Sequence, residues 1–361
     1  MPRPAARRPA ATLSPMAPRS RRRVQFSAPE QAEVVTEEAP SPGPGEVRVR
    51  TRYSAISPGT ERLVYEGNVP GTLDADPSIE ALQDDTLSYP LSYGYACVGK
   101  VEALGEGVGR DWEGAAVFAF QPHVSRFVAS TEALLRLPEA ASLTDAVMIP
   151  SLETAVNLVM DGQPMIGETA LVFGQGVVGL LTTRLLADHP LDTLVAIDPV
   201  AARRARSEAA GAQAVASADA LDQVDGYVAA SPSDAPGAER ADLVYELTGR
   251  PSVLDEAVQR TGFAGRVVVG SWYGTKAAPI DLGSHFHRSR MRIISSQVST
   301  IDPPHRGRWT KDRRMGVVLD LLPEVAPSEL ITDRFAVTEA PSAYEQLARG
   351  ASMLQPIFTY E

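Results

Sequence analysis

Residues 169–187 impose the tightest constraint on what this chain can fold into. The apolar run Thr169-Ala170-Leu171-Val172-Phe173 reads as a buried strand. It leads without a break into Gly174-Gln175-Gly176-Val177-Val178-Gly179, which opens an apolar helix over Val177–Ala187. Each glycine has its own task at that spacing. Gly174 permits the tight turn, Gly176 lets the backbone approach a pyrophosphate, and Gly179 lets the helix pack closely on the strand. The helix N-terminus adds free N–H groups and the positive end of its dipole. Asp198 closes the next strand nineteen residues after Gly179, where a carboxylate accepts hydrogen bonds from an adenosine ribose and disfavours a 2′-phosphate. The spacing alone is weak, and a glycine-rich turn that binds nothing is the alternative. In its strand–helix–strand context it points to NAD. Arg203 and Arg204, just beyond the second strand, keep NADP open, against the blander reading of a solvated helix face.

The rest of the chain divides around that unit. From about residue 150 strands and helices alternate, which implies a parallel sheet covered by helices. Thr169–Phe173, Leu194–Ile197, Leu243–Leu247, Arg266–Gly270 and Arg292–Ser296 are the strands, and Ala201–Ala210 is a helix stopped by Gly211. Before residue 150 the runs are short and separated by Gly and Pro: Val24–Phe26, Glu46–Arg50, Ala96–Ala103, Ala115–Phe120 and Phe127–Val128. They make a small β-rich domain. Gly67–Tyr89 has no clean period and is expected to be a surface loop. The last residues end in Pro356–Tyr360, a further strand. The fold class is α/β, a doubly wound parallel sheet of Rossmann type beside a β-rich domain.

Composition narrows the partners. The net charge is −11, and residues 1–23 hold seven arginines and no acid, so the body is more acidic still. An acidic body repels phosphates and argues against a nucleic-acid partner. No run of eighteen apolar residues occurs, so no membrane helix is expected. The single cysteine, Cys97, excludes an intramolecular disulfide and a cysteine-cluster metal site, and a cytoplasmic location is expected. The first twenty residues resemble a transit peptide in composition, although Pro2, Pro4, Pro9 and Pro15 work against an amphipathic helix; a disordered extension is the expectation for 1–22.

A β-rich half followed by this nucleotide unit resembles the medium-chain dehydrogenase/reductases. The likeness runs from about Arg23 to Glu361. It is carried by Gly43–Val49, Gly94–Gly105, the glycine fingerprint and Gly265–Gly270. Ala55-Ile56-Ser57-Pro58-Gly59-Thr60-Glu61-Arg62 and Ser271-Trp272-Tyr273-Gly274 are similar to the branch related to bacteriochlorophyllide dehydrogenases. The resemblance implies a GroES-like barrel over 23–153, a Rossmann domain over 154–297, and a tail, 298–361, that rejoins the first domain. It also implies that Thr154, Gly270 and Ser271 border the cofactor, and that the chain pairs as a homodimer through a Rossmann edge strand.

The departures from that family carry the chemistry. Where its zinc members have a cysteine ligand this chain has Pro58, where they have a histidine it has Tyr95, and the third ligand falls near Pro150. A catalytic zinc needs about three N, S or O ligands and an open position, so no metal is expected. A replacement set of Glu61, His123, Glu153 and His287 is the alternative. Without a Lewis acid, a hydrogen-bond donor has to steady the developing alkoxide. By the resemblance Thr60 takes the place of the family's relay hydroxyl and Tyr95 that of the lost histidine. His123, after a barrel strand, is a second acid/base candidate. Each has a plainer reading, Tyr95 as a packed aromatic and His123 as a surface turn residue. The expected activity is zinc-independent hydride transfer between NAD(H) and a secondary alcohol or ketone. The alternatives are an NADPH-dependent quinone or enone reductase and a non-enzymatic NAD-binding sensor.

Overall fold

The computed structural model describes residues 20–139, 141–227, 240–350 and 353–361. The chain opens with the hairpin β1 (Ser20–Ala28) and β2 (Gln31–Glu38), then β3 (Glu46–Ala55) and the short helix α1 (Thr60–Tyr65). β4 (Cys97–Leu104), β5 (Ala116–Ala119), β6 (Arg126–Ser130) and β7 (Leu135–Arg136) follow. β1 begins at Ser20, so residues 20–22 of the expected extension are strand; residues 1–19 lie outside the described residues. The segment 67–89 is not a surface loop. Val69, Ala75, Leu82 and Leu87 are buried in one core with Phe26, Tyr65 and Tyr344. Its apolar residues sit at irregular intervals, so turns bury them one by one and no helical or strand period betrays the burial.

α2 (Leu143–Ala146) and α3 (Ile149–Gly162) lead into the second half. There β8 (Thr169–Phe173), α4 (Val177–Ala187), β9 (Thr193–Ile197), α5 (Ala201–Ala209), β10 (Gln213–Val215), β11 (Ala241–Glu246), α6 (Pro251–Arg260), β12 (Thr261–Val269) and β13 (Arg292–Ser295) form a six-stranded parallel sheet in the order β10-β9-β8-β11-β12-β13. This is the doubly wound order with its reversal between β8 and β11, and ligands of such sheets lie outside the carboxyl ends of the strands at that reversal. β8 and β9 are nearly continuous apolar runs because helices cover both faces.

The chain closes with α7 (Lys311–Val325), β14 (Ile331–Ala336), α8 (Ala340–Ala348) and β15 (Gln355–Thr359). β15 does not extend the parallel sheet. It lies antiparallel to β3, Phe358 opposite Ser54, within a seven-stranded sheet in the order β14-β15-β3-β4-β5-β7, where β6 also pairs with β3. α7 and α3 meet through Arg314, a fully buried arginine. Its guanidinium donates to Glu153 Oε1 from Nη2 at 2.8 Å and from Nε at 3.2 Å, and also to Asn157 Oδ1 and to the carbonyls of Val298 and Thr300. Asn157 passes the network on to Asp161 and Ser296. The residues leaving β13 are thereby tied to α3 and α7.

Removing one partner of a buried ion pair leaves an uncompensated charge. Arg314→Leu is therefore expected to cost about 3–5 kcal/mol in urea unfolding, and adding Glu153→Leu should recover part of that loss. Equal stability of wild type and Arg314→Leu would show that the network contributes nothing.

Candidate active site

The glycine turn sits at the carboxyl end of β8. Gly174 has φ +89°, and a Cβ there would lie 2.8 Å from the Leu247 carbonyl oxygen on the neighbouring β11 side. A Cβ on Gly179 would lie 1.9 Å from the Gly174 oxygen. These two glycines are demanded by the protein itself. Gly176 differs: nothing lies within 4 Å of its would-be Cβ, and it opens α4 with no side-chain cap. The first amides of the helix, Val177 and Val178 among them, thus face an open cradle suited to a pyrophosphate. A dinucleotide fits these residues.

Gln175, between the glycines, is fully buried. It donates from Nε2 to the Val172 carbonyl, and its Oε1 accepts from Thr183 and Ser207, tying β8 to α4 and α5. Asp198 is 3% exposed. Its Oδ2 accepts from the Gln175 amide at 2.7 Å and its Oδ1 from the Val200 amide at 2.8 Å. The carboxylate therefore fastens the glycine turn, and each oxygen has one lone pair left for a ribose hydroxyl. Arg203 stands 3.7 Å from it, while Arg204 is turned back onto the carbonyls of Asp198 and Pro199. Ser271 Oγ accepts from the Gly249 amide and donates to the Glu246 carbonyl, and a Cβ on Gly270 would press on Leu247 and Leu158. Thr154 donates its hydroxyl to the Pro150 carbonyl one turn back in α3.

Thr60 is the first residue of α1, and Tyr95 is half-buried with its ring edge-on to Tyr93. Burial and the Glu61 carboxylate push the Tyr95 phenol up to about 12, with the nearby Ser57 and Thr60 hydroxyls pulling the other way. Ser57, Thr60 and Tyr95 thus bring three hydroxyls into one neighbourhood. Ser57 was legible only as a member of the Ala55–Arg62 motif, and reading the sequence did not single it out.

His123 is not a surface turn residue. It is fully buried, with Nε2 2.8 Å from Glu61 Oε2 and Nδ1 2.6 Å from Ser54 Oγ. The replacement metal set is also split. Glu61 and His123 meet, but Glu153 is held by Arg314 and His287 is exposed on another segment. Among the described residues no group of three His, Cys, Asp or Glu side chains gathers for a metal. Pro58 and Pro150 have no donor atom, so the residues at the family's ligand positions do not fit a catalytic zinc.

No family model matches the chain. Its curated relatives include the starvation-sensing protein RspB of Escherichia coli (strain K12), 25% identical over 88% of this chain and 94% of that protein. The (R,R)-butanediol dehydrogenase of Bacillus subtilis (strain 168) is 27% identical over 68% and 76%. A bacteriochlorophyllide A dehydrogenase of Cereibacter sphaeroides is 23% identical over 75% and 80%. Among solved structures, a short chain alcohol dehydrogenase (rspB) from E. coli CFT073 complexed with NADH superposes with a TM-score of 0.72 at 20% identity, covering 94% of this chain and 99% of that one. A dehydrogenase from Sinorhizobium meliloti 1021 bound to NADP gives 0.71 at 19%, covering 95% and 100%. Dehydrogenases recur among the sequence relatives and the solved structures, and the chain shares the fold of those structures.

The two kinds of glycine are separable by mutation. Gly176→Ala should leave the melting temperature of the free protein unchanged yet weaken NADH in calorimetric titration by at least about tenfold, roughly 1.4 kcal/mol. Gly179→Ala should lower both. NADH affinity untouched by Gly176→Ala would place the nucleotide elsewhere.

Proposed function

We propose that this chain, an alcohol-dehydrogenase-like oxidoreductase with the medium-chain dehydrogenase/reductase fold, transfers hydride reversibly between NAD(H) and a secondary alcohol or ketone without a metal. The observation that carries the reading is the Tyr95 phenol, set among the Ser57 and Thr60 hydroxyls at the position where zinc members hold a ligand. The residues at those ligand positions are Pro58, Tyr95 and Pro150, and only the tyrosine can act on an oxygen.

When bound, the nicotinamide supplies or takes the hydride. In the reducing direction Tyr95 donates a hydrogen bond and then its proton to the carbonyl oxygen as negative charge gathers there. Ser57 and Thr60 partner the phenolate left behind. In the oxidising direction the phenolate takes the alcohol proton. The cradle at Val177 and Val178, with Gly174, Gly176 and Gly179, holds the pyrophosphate, and the free lone pairs of Asp198 receive the ribose. The Asp198 carboxylate favours NAD over NADP, while Arg203 is the residue that would tolerate the extra phosphate. Thr154, Gly270 and Ser271 border the nicotinamide side. The division into 23–153 with 298–361 as the substrate half, and 154–297 as the nucleotide half, is supported by β15 pairing with β3. The substrate is a small alcohol or carbonyl compound, and the protein is assigned to the cytoplasm as a homodimer that binds no nucleic acid. No helix among the described residues is long and apolar enough to cross a membrane.

Three measurements test this. Tyr95→Phe should reduce turnover on a panel of secondary alcohols and ketones by about 10²–10⁴-fold, the usual worth of general acid catalysis, with NADH affinity unchanged. A phenol raised to about 12 stays protonated below that value. Ketone reduction should therefore be flat in kcat from roughly pH 6 to 9, whereas alcohol oxidation, which needs the phenolate, should climb with pH. Elemental analysis of untagged protein, with turnover measured after chelation, should find no stoichiometric zinc and no loss. Stoichiometric zinc whose removal abolishes turnover would overturn the metal-free reading.

A further inference from the structure

Beneath the Ser57, Thr60 and Tyr95 hydroxyls lies a fully buried polar chain. Tyr360 Oη is 2.7 Å from Ser54 Oγ, Ser54 Oγ is 2.6 Å from His123 Nδ1, and His123 Nε2 is 2.8 Å from Glu61 Oε2. Tyr344 Oη donates to the same Glu61 oxygen at 2.5 Å. Glu61 Oε1 accepts from the Ser57 amide at 2.8 Å, and the Glu61 amide donates to the Ser57 carbonyl at 3.0 Å. With Glu61 ionised, one set of proton positions partners every atom. Tyr360 donates to Ser54, Ser54 donates to a bare Nδ1, and the proton on Nε2 points at Glu61.

Both hydroxyl-bearing segments rest on that imidazole. Glu61 follows Thr60 and clamps the Ser57 backbone, so His123 holds the Ser57–Thr60 turn through the carboxylate. On its other side the ring lies against Gly94, the residue before Tyr95. A Cβ at Gly94 would fall 2.7 Å from His123 Cδ2 and Nε2, and Gly94 has φ +111°. The ring is further held edge-on by Phe358 at 5.0 Å between centroids. His123 has no exposed surface.

We propose that His123, with Glu61, is a positioning residue: it sets the spacing of the Ser57 and Thr60 hydroxyls against the Tyr95 phenol, and does not itself exchange protons with substrate. The inference rests on the reading of Tyr95 as the acid, so its test has one arm that needs no substrate. Small displacements of a reacting group cost about 10²-fold in rate, which is the scale expected of a lost support.

The experiment compares His123→Gln, whose amide can still donate to Glu61 and accept from Ser54, with His123→Leu, which can do neither. In the substrate-free arm 3-fluorotyrosine is placed at position 95 and its ¹⁹F resonance is recorded near neutral pH. Wild type and His123→Gln should give one narrow line, and His123→Leu a broadened or split one. In the turnover arm, on the alcohol and ketone panel, His123→Leu should lower kcat by about 10²-fold with KM for NADH unchanged, and His123→Gln should restore most of it with an unaltered pH profile. Thermal melts confirm that each variant is folded, and if His123→Leu does not fold, Glu61→Gln takes its place. An unchanged ¹⁹F line and unchanged kcat in His123→Leu would overturn the proposal. So would a His123→Gln variant as inactive as His123→Leu with an ionisation missing from its profile, because His123 would then carry the proton. The expected ¹⁹F pattern without turnover on any substrate would sink the functional reading and leave the positioning role standing.

Discussion

The half of the chain that holds Ser57, Thr60 and Tyr95 depends on one long-range pairing, β15 against β3. Phe358 stands opposite Ser54 in that register. The pairing puts the Phe358 ring on His123 and brings Tyr360 to the Ser54 hydroxyl. α8, just before β15, supplies Tyr344 to Glu61. Three polar or aromatic groups from the last twenty residues therefore floor a site whose hydroxyls come from the first hundred. Strand register has a period of two, so a slip of one residue would turn Phe358 and Tyr360 to the opposite face, taking the ring off His123 and the Tyr360 hydroxyl from Ser54.

The nucleotide half obeys a different constraint. Its sheet is parallel and covered on both faces, so the strands need only apolar side chains, and the chemistry gathers where the strands end. Gln175 and Asp198 show how tightly that end is built. The amide side chain of Gln175 and the carboxylate of Asp198 spend their first hydrogen bonds on the turn and the neighbouring helices. The cradle is thus shaped before a nucleotide arrives, which lowers the ordering cost of binding. Arg314, from α7, reaches this half at Asn157 while also holding Glu153 and the carbonyls of Val298 and Thr300.

Local signals were strong where local sterics decide. The glycine fingerprint, the following acid and the alternation of strands and helices were readable because turn geometry and sheet burial act over a few residues. Ser57 stood inside a recognised motif, yet nothing in its neighbours said that its hydroxyl would meet Tyr95. Tyr344 and Arg314 gave no signal at all. An aromatic and an arginine on helices read as a packed face and a solvated one, and the carboxylate partner of each lies more than 150 residues away in the chain.

The amino-acid sequence by itself determined the α/β class and the cofactor turn, because each follows from residue type at a local spacing. The loss of donors at Pro58 and Pro150 was legible only through the family resemblance. Tertiary structure alone decided what His123 is. A histidine after a strand reads equally as an exposed turn or a cleft residue. Only the closure of β15 onto β3, with Gly94 leaving room for the ring, seals it from solvent between Glu61 and Ser54. The imidazole is buried because strands and helices distant in sequence enclose it, and no short-range pattern encodes that enclosure.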